Sequence, residues 1–386
     1  MSKYLGHFWY ISYMNKENNL NLEKTLVDIV AFKTISGNHE EVKKAYDYIE
    51  KLFPVELFDF QYIINNNFLS QVIAFRGVDW RNAKLIINGH IDVIDAPDND
   101  FISRIENNIM YGRGTSDMKA GLVATISAML RLAQEKKNID CAFIITSDEE
   151  IGGDNGVGKL INEIGSNTKF VLVTDGPRHD QMLITTREKG ILWLEVSVAG
   201  KASHAARPWL GKNAVHLLLD FLSELRDLVG RDEKDEWKSV ITVSKIGTSN
   251  STNNRVPSDA MAVVDIRFTE ALANNKEELF EKIKNKTPEG IEVKIISGGG
   301  MINTDITNPY MVKLQEAMNI SCGKEIPFGY GHAGSDGRFF SEKNIPVALI
   351  GTFGANWHAP NEWVDLNSLY SLEKSIFQFI SNFDSY

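Results

Sequence analysis

The stretch Leu85-Ile86-Ile87-Asn88-Gly89-His90-Ile91-Asp92 decides the reading of the fold. An apolar run of strand length stops where potential ligands begin, and a run without polar alternation belongs to a strand buried on both faces. Comparable runs lie at residues 71–75, 142–146, 170–174 and 347–350. Helical patterns stand beside them at 118–133 and 157–163, and an earlier one, from about 20 to 53, breaks at Ser36-Gly37-Asn38. Strands alternating with helices predict an α/β domain whose sheet carries helices on its faces.

Near residue 187 the pattern changes. Residues 191–198 alternate as a half-buried strand, 214–228 form an amphipathic helix, 240–245 and 261–268 read as strands, 276–284 as a helix and 291–296 as a strand. The order β-α-β-β-α-β is that of a ferredoxin-like α+β unit. After Gly298-Gly299-Gly300, read as a hinge, the first pattern resumes with a helix at 309–318, the strand at 347–350 and a C-terminal helix. The expectation is one α/β domain over 1–186 and 297–386, interrupted by an inserted α+β lid over 187–296.

The formal net charge of -10 and a pI near 5.4 argue against a nucleic-acid or anionic-membrane partner, since both call for a basic face. The two cysteines, Cys141 and Cys322, are too few for a disulfide framework and fit a reducing compartment. No run approaches the roughly 20 apolar residues that span a bilayer. The N-terminal apolar run is interrupted by His7 and lacks a small-residue cleavage site, so no signal peptide is expected; residues 1–13 read as an added or mis-assigned leader ahead of Met14. Cytoplasm is the expected location.

Candidate chemistry gathers where the strands stop. His90 and Asp92 end the first run, and a carboxylate at that distance can accept a ring N–H and fix the tautomer. Asp117 closes Tyr111-Gly112-Arg113-Gly114-Thr115-Ser116-Asp117-Met118-Lys119, at the head of the next helix. Glu149 and Glu150 follow the strand at 142–146, and Asp175 follows the one at 170–174. His358 lies on the late loop Asn356-Trp357-His358-Ala359-Pro360-Asn361-Glu362. Taken singly, each is a turn or a cap. The carboxyl ends of strands in an α/β sheet converge on one crevice, so together they point to a metal centre of His and carboxylate ligands.

The segments GHIDV, GRGTSDMK, DEEIGG and the late histidine, in this order, resemble the M20 metallopeptidases, a family that includes succinyl-diaminopimelate desuccinylase, acetylornithine deacetylase, carboxypeptidases and dipeptidases. The resemblance runs from about residue 20 to the C-terminus. It implies a zinc-aminopeptidase-like catalytic domain, with the inserted lid serving dimerisation. It implies two zinc ions, with cobalt or manganese as substitutes: Asp117 would bridge them, His90 and Asp175 would complete one site, and Glu150 and His358 the other. Glu149 would be the general base toward water, Asp92 the acid that orients His90, and Asp117–Met118 a cis peptide. No ligand position is lost, so a working enzyme is expected. The lid segment Gly200-Lys201-Ala202-Ser203-His204-Ala205-Ala206-Arg207-Pro208 is similar to the family's GxxxHxxxP pattern, which makes His204 the donor to the developing oxyanion and the lid the interface of a homodimer.

For the substrate, Ser335-Asp336-Gly337-Arg338-Phe339 resembles the SDGRF segment of the desuccinylase and related deacylases, although Gly334 stands where threonine is usual. Asn254-Arg255-Val256-Pro257 resembles the NxxP segment, and Arg267 matches the lid-strand arginine. Asn254, Arg267, Ser335 and Arg338 are therefore expected to bind a small substrate with a free carboxylate, arginine being suited to bidentate carboxylate pairing. The implied reaction is cleavage of an N-acyl amino acid at its amide bond. A carboxypeptidase or dipeptidase is the alternative within the family, and a non-catalytic binding protein on the same fold is a remote one. A phosphoryl-transfer enzyme is disfavoured, because GRGTSDMK lacks the order of a phosphate-binding loop. His39, His179, His216 and His7 read as structural or solvent-facing.

Overall fold

The computed structural model describes residues 20–135, 139–176, 181–230 and 237–384; the leader reading and those of His7 and His179 lie outside them. The elements are α1 (Leu22–Val30), α2 (His39–Leu52), β1 (Phe58–Asn65), β2 (Phe68–Phe75), β3 (Leu85–His90), β4 (Arg104–Glu106), β5 (Ile109–Tyr111), α3 (Ala120–Gln134), β6 (Cys141–Thr146), α4 (Val157–Leu160), β7 (Phe170–Val173) and β8 (Ile184–Glu188). There follow β9 (Gly190–Ala199), α5 (Ala214–Val229), β10 (Val240–Gly247), β11 (Asp259–Phe268), α6 (Lys276–Lys284) and β12 (Ile291–Gly299). The chain ends with β13 (Ile302–Asn303), α7 (Pro309–Cys322), β14 (Phe328–Gly331), α8 (Gly337–Glu342), β15 (Val347–Leu349), β16 (Gly354–Ala355), β17 (Trp363–Asp365) and α9 (Leu366–Ser381).

Two compact units emerge. One comprises the chain to Thr186 with Asn303–Gly331 and Ser335–Tyr386; the other comprises Arg187–Ile302 with His332–Gly334. The first is built on a nine-stranded sheet in the order β1-β2-β6-β3-β7-β15-β8-β13, with β14 pairing β8. Its centre is parallel: β3 runs with β6 and β7, and β15 runs with β7. These strands are buried on both faces, which explains their unbroken apolar sequences. Toward one edge the pairing turns antiparallel, as β2 meets β6 and β1 meets β2.

Helix α3 is buried along nearly its whole length, with Leu122, Val123, Ile126, Met129 and Leu130 all inside. It packs against α1 and α9 as well as β3, so it needs apolar residues on every side rather than one stripe. At Gly121 the helix approaches the end of β7 so closely that a Cβ would lie 2.1 Å from the Thr174 carbonyl oxygen. A backbone atom cannot swing aside. Helix propensity would favour alanine over glycine by up to about 1 kcal/mol, whereas overpacking costs about 1–3 kcal/mol and sometimes more. The clash decides the sign: Gly121→Ala is expected to lower the melting temperature, and the denaturation midpoint checks it.

The second unit is the β-α-β-β-α-β arrangement read from the sequence. Its antiparallel sheet has the order β10-β11-β9-β12, with Leu192, Leu194, Val196, Val264 and Ile266 directed into one core with Phe221 and Leu225 of α5. Two residues of the glycine run expected as a hinge lie within a strand. Gly298 and Gly299 prolong β12, paired with Leu192 and Ile191, and a Cβ on Gly298 would lie 2.7 Å from the Ile191 carbonyl oxygen. Close backbone approach accounts for glycine at position 298.

Candidate metal centre

Parallel pairing sets the first ligands. β3 lies between β6 and β7 with His90 beside Thr146 and Asn88 beside Val173, so all three strands finish at one edge of the sheet. His90 is the last residue of β3. Glu149 and Glu150 open the 3-10 turn Glu149–Ile151 just beyond β6, and Asp175 lies just beyond β7. Asp117 sits in the irregular turn Thr115–Lys119 ahead of α3, where its backbone (φ -120, ψ 87) leaves helical geometry and the Asp117–Met118 peptide is cis. His358 occupies a left-handed position (φ 56) between β16 and β17, strands of a small sheet that also contains β5 and β4.

Two groups result: His90 with Glu149 and Asp175, and Asp117 with Glu150 and His358, the donor atoms of each lying within 4.8 Å of one another. His90 Nε2 is 3.4 Å from Asp117 Oδ1, 3.8 Å from Asp175 Oδ2 and 3.9 Å from Glu149 Oε2. His358 Nε2 is 2.9 Å from Glu150 Oε2 and 3.5 Å from Asp117 Oδ2. One oxygen of Asp117 therefore faces each histidine, and the two groups adjoin across it.

The supports are specific. His90 Nδ1 lies 3.0 Å from the Asp92 carbonyl oxygen and 3.5 Å from the Asp92 carboxylate, which places the ring proton on Nδ1 and leaves the Nε2 lone pair facing the acids. The Asp92 carboxylate itself accepts from Ser36 Oγ (2.7 Å) and from the backbone N–H groups of Glu149 and Glu150 (3.3 and 3.2 Å). Asp92 thus anchors the acid pair as much as the histidine. Asp148, not singled out from the sequence, accepts from the N–H groups of Asn155 and Gly156 (2.8 and 3.0 Å) and shapes the loop that carries Glu149 and Glu150. Asp336, also passed over, accepts from Thr146 Oγ1 at 2.9 Å. Lys119, fully buried, donates to the Phe32 carbonyl oxygen at 2.9 Å, and burial pulls its pKa down to about 7.

Burial raises the pKa of Glu149 well above the carboxylate range, with His90 opposing and Asp175 and Asp336 adding to it. Burial also raises Glu150, against the bond to His358, and pushes Asp336 up to about 7. For His90 burial acts downward, but the neighbouring carboxylates of Asp117, Asp175 and Asp92 outweigh it and the net shift is upward. Bonds to Asp117 and Glu150 lift His358 to about 10. Acids held reluctantly and imidazoles held eagerly are what a dense negative cluster produces. The Nε2 of His90 is buried and makes no hydrogen bond of good geometry. A divalent cation fits this donor set of imidazole nitrogen and carboxylate oxygen.

The remaining expected residues have local partners. Ser335 and Arg338 flank the start of α8. Ser335 Oγ accepts from the Gly337 N–H at 3.3 Å, and the Arg338 guanidinium donates to the carbonyl oxygens of Ser335 (2.9 Å) and Gly152. In the second unit Arg267 forms a bidentate pair with Asp265 on its own strand, at 2.9 and 3.1 Å. Both arginines therefore have internal partners. His204 and Asn254 belong to a short antiparallel ladder: the Ala205 N–H donates to the Asn254 carbonyl oxygen, the Val256 N–H donates to that of Ser203, and His204 lies opposite Arg255. His204 Nδ1 accepts from the Ala206 N–H at 3.1 Å, so the ring proton sits on Nε2. At Gly334 a Cβ would lie 2.6 Å from Ile191 Cδ1; a methyl group occupies the space that a larger residue would use.

Paired His/carboxylate groups at the strand ends of a parallel-centred α/β sheet fit a metal-dependent hydrolase. The chain belongs to peptidase family M20/M25/M40, whose model matches residues 86–382. It is 27% identical over 376 residues to a succinyl-diaminopimelate desuccinylase of Blochmanniella pennsylvanica, covering 90% of this chain and 94% of that protein. With the protein of the same name from Gluconobacter oxydans it is 30% identical over 321 residues, covering 78% and 81%. Among solved structures it superposes on a tripeptidase of Staphylococcus aureus with a TM-score of 0.74 at 18% identity, covering 95% and 98%. An M20 family metallo-carboxypeptidase of Sulfolobus solfataricus gives 0.70 at 18%, covering 93% and 98%. Among the described residues no helix is long and apolar enough to cross a membrane.

Proposed function

We propose that this protein removes the acyl group from an N-acyl amino acid by metal-assisted hydrolysis of the amide, with Glu149 as general base. The observation that supports it best is the pair of adjoining ligand groups with Asp117 between them and Glu149 alongside, 3.9 Å from His90 Nε2. His90, Asp175 and Asp117 would hold one zinc ion and Asp117, Glu150 and His358 a second, with cobalt or manganese as substitutes. Cations held there would polarise the amide carbonyl and acidify water.

The chain's own residues supply the rest. Asp92 keeps the His90 proton on Nδ1 and pins the backbone of the acid pair. Glu149 takes the proton from the attacking water at a carboxylate oxygen and later gives it to the leaving amine nitrogen, so that amide and water become carboxylic acid and amine. His204, whose Nε2–H is fixed by the Ala206 bond, is the donor to the developing oxyanion. Asn254 and Ser335 position the substrate. For a free carboxylate on it, Arg267 would exchange its pairing with Asp265, and Arg338 serves by holding Ser335 in place. The names of the curated relatives favour a dicarboxylic acyl group, whereas the methyl of Ile191 beside Gly334 favours an acyl group that needs no hydroxyl partner there. We further propose a cytoplasmic homodimer formed through the second unit, whose edge strand β10 is exposed along most of its length, with Val243 and Ile246 uncovered.

The test is hydrolysis of N-succinyl-diaminopimelate, N-acetylornithine, other N-acyl amino acids and simple dipeptides, with and without a chelator. Chelator-sensitive release from an acylated amino acid is the expected result. Turnover of dipeptides alone would transfer the protein to the peptidase branch of the family, and inertness of the metal-loaded protein toward the whole panel would overturn the deacylase reading.

A further inference from the structure

Glu362 has no part in the reaction derived above, yet its carboxylate accepts four hydrogen bonds. It lies four residues beyond His358 and is 2% exposed. Its Oε2 accepts from Arg113 Nη1 at 2.8 Å and from the Gly114 N–H at 2.7 Å, while its Oε1 accepts from the N–H groups of Ser116 (2.9 Å) and Asp117 (3.0 Å). The turn before α3 thus points three backbone donors inward, and a side chain from the far end of the sequence fills the space between them. Gly114, at φ 78, permits the bend.

The same two loops are tied at further points. Gly112 N–H donates to the Glu362 carbonyl oxygen at 2.9 Å, Arg113 Nη2 donates to the Ala359 carbonyl oxygen at 3.2 Å, and Trp357 Nε1 donates to Ser116 Oγ at 3.0 Å. Just beyond Glu362, β17 pairs with β5, Trp363 opposite Tyr111. One of these loops carries Asp117 and the other His358. One of the joints, the bond from the Asp117 amide to Glu362, is made by a candidate ligand residue itself.

We propose that Glu362 is a positioning residue that sets the spacing between Asp117 and His358, and so the affinity of the group Asp117, Glu150 and His358 for its cation. This rests on the reading of those residues as ligands. Glutamine keeps the volume of Glu362 but has one acceptor oxygen, so either the Arg113–Gly114 pair or the Ser116–Asp117 pair must face an amide NH2. Those donors would be buried with no acceptor, and the turn must shift to recover one. Neighbours that orient ligands typically govern metal affinity or activity by about 10–100-fold.

The experiment is titration of the metal-free full chain with Co2+, followed by calorimetry and by the visible absorption of the bound ion, for the wild type and Glu362→Gln, together with thermal melting and steady-state kinetics. The expected result is that the wild type takes up two equivalents and that Glu362→Gln binds one of them at least tenfold more weakly, with an altered cobalt spectrum and a loss in kcat larger than any change in KM. A lowered melting temperature with both affinities and the spectrum unchanged would make Glu362 a structural tie only and overturn the proposal. A wild type that takes up fewer than two equivalents would instead bring down the ligand reading itself. If Glu362→Gln does not fold, Glu362→Asp carries the test: it keeps the charge but is too short to reach all four donors, and the same weakening is expected.

Discussion

Glu149→Gln is expected to lower turnover by about a thousandfold or more while the protein keeps its metal. General-base catalysis contributes about 10²–10⁴-fold, and the amide of glutamine can neither take a proton from water nor return one to an amine. The geometry makes this a sharp test, because Glu149 Oε2 stands 3.9 Å from His90 Nε2, almost as near as Asp175 at 3.8 Å. Distance alone would admit Glu149 as a ligand of that group. The two roles part in the metal content. A base held beside the cation leaves stoichiometry and KM little changed when it is neutralised; a ligand takes one equivalent of metal with it. Metal analysis of Glu149→Gln alongside its kinetics decides. An active variant would remove Glu149 from the mechanism, and an inactive one short of metal would recast it as a ligand.

Much of this site was legible in the sequence, for a definite physical reason. His90 ends one strand that begins as an apolar run, and Glu149, Glu150 and Asp175 follow two others, so each strand end announces itself by the polar residues at it. Parallel pairing then brings those ends together without any further signal. The two-unit organisation was legible on the same basis, since the alternation of 191–198 and 261–268 differs from the unbroken apolar runs elsewhere. What escaped was carried by hydrogen bonds. Glu362, Asp148 and Asp336 do their work by accepting from backbone or hydroxyl donors, and nothing in an acid's neighbours along the chain reports which distant N–H it will meet. The strand β1 was also passed over, although a signal existed. Asn66 and Asn67 take left-handed conformations between β1 and β2, as asparagine does in tight hairpins, and Asn107 and Asn108 repeat the device between β4 and β5. Arg267 and Arg338 show another thing the sequence leaves open, the local partners of a candidate substrate-binding cation. The sequence offered them for a substrate carboxylate, and each has a partner within its own unit, Asp265 for the one and backbone carbonyls for the other.

Asp117→Asn is the second substitution with a large expected effect, and its signature should differ from that of Glu149. Asp117 offers one oxygen toward His90 and the other toward His358, at 3.4 and 3.5 Å. Replacing one oxygen with an NH2 group removes a ligand atom and sets a donor against an imidazole nitrogen or a cation. If Asp117 serves both groups, both equivalents of metal should weaken together, whereas Glu150→Gln should weaken one. Thermal melting converts this into a second, independent readout. A ligand present at a hundred times its dissociation constant stabilises the fold by about 2.7 kcal/mol; a hundredfold loss of affinity at the same concentration leaves only about 0.4 kcal/mol by the same relation. The rise in melting temperature on adding zinc should therefore be large for the wild type, reduced for Glu150→Gln and nearly absent for Asp117→Asn, with turnover in Asp117→Asn down by at least about a thousandfold. Asparagine nearly preserves the volume, so the metal-free melting temperatures of wild type and variant should lie close together. If Asp117→Asn instead retains one equivalent at wild-type affinity, Asp117 belongs to a single group, and the adjoining geometry would describe two separate cation sites.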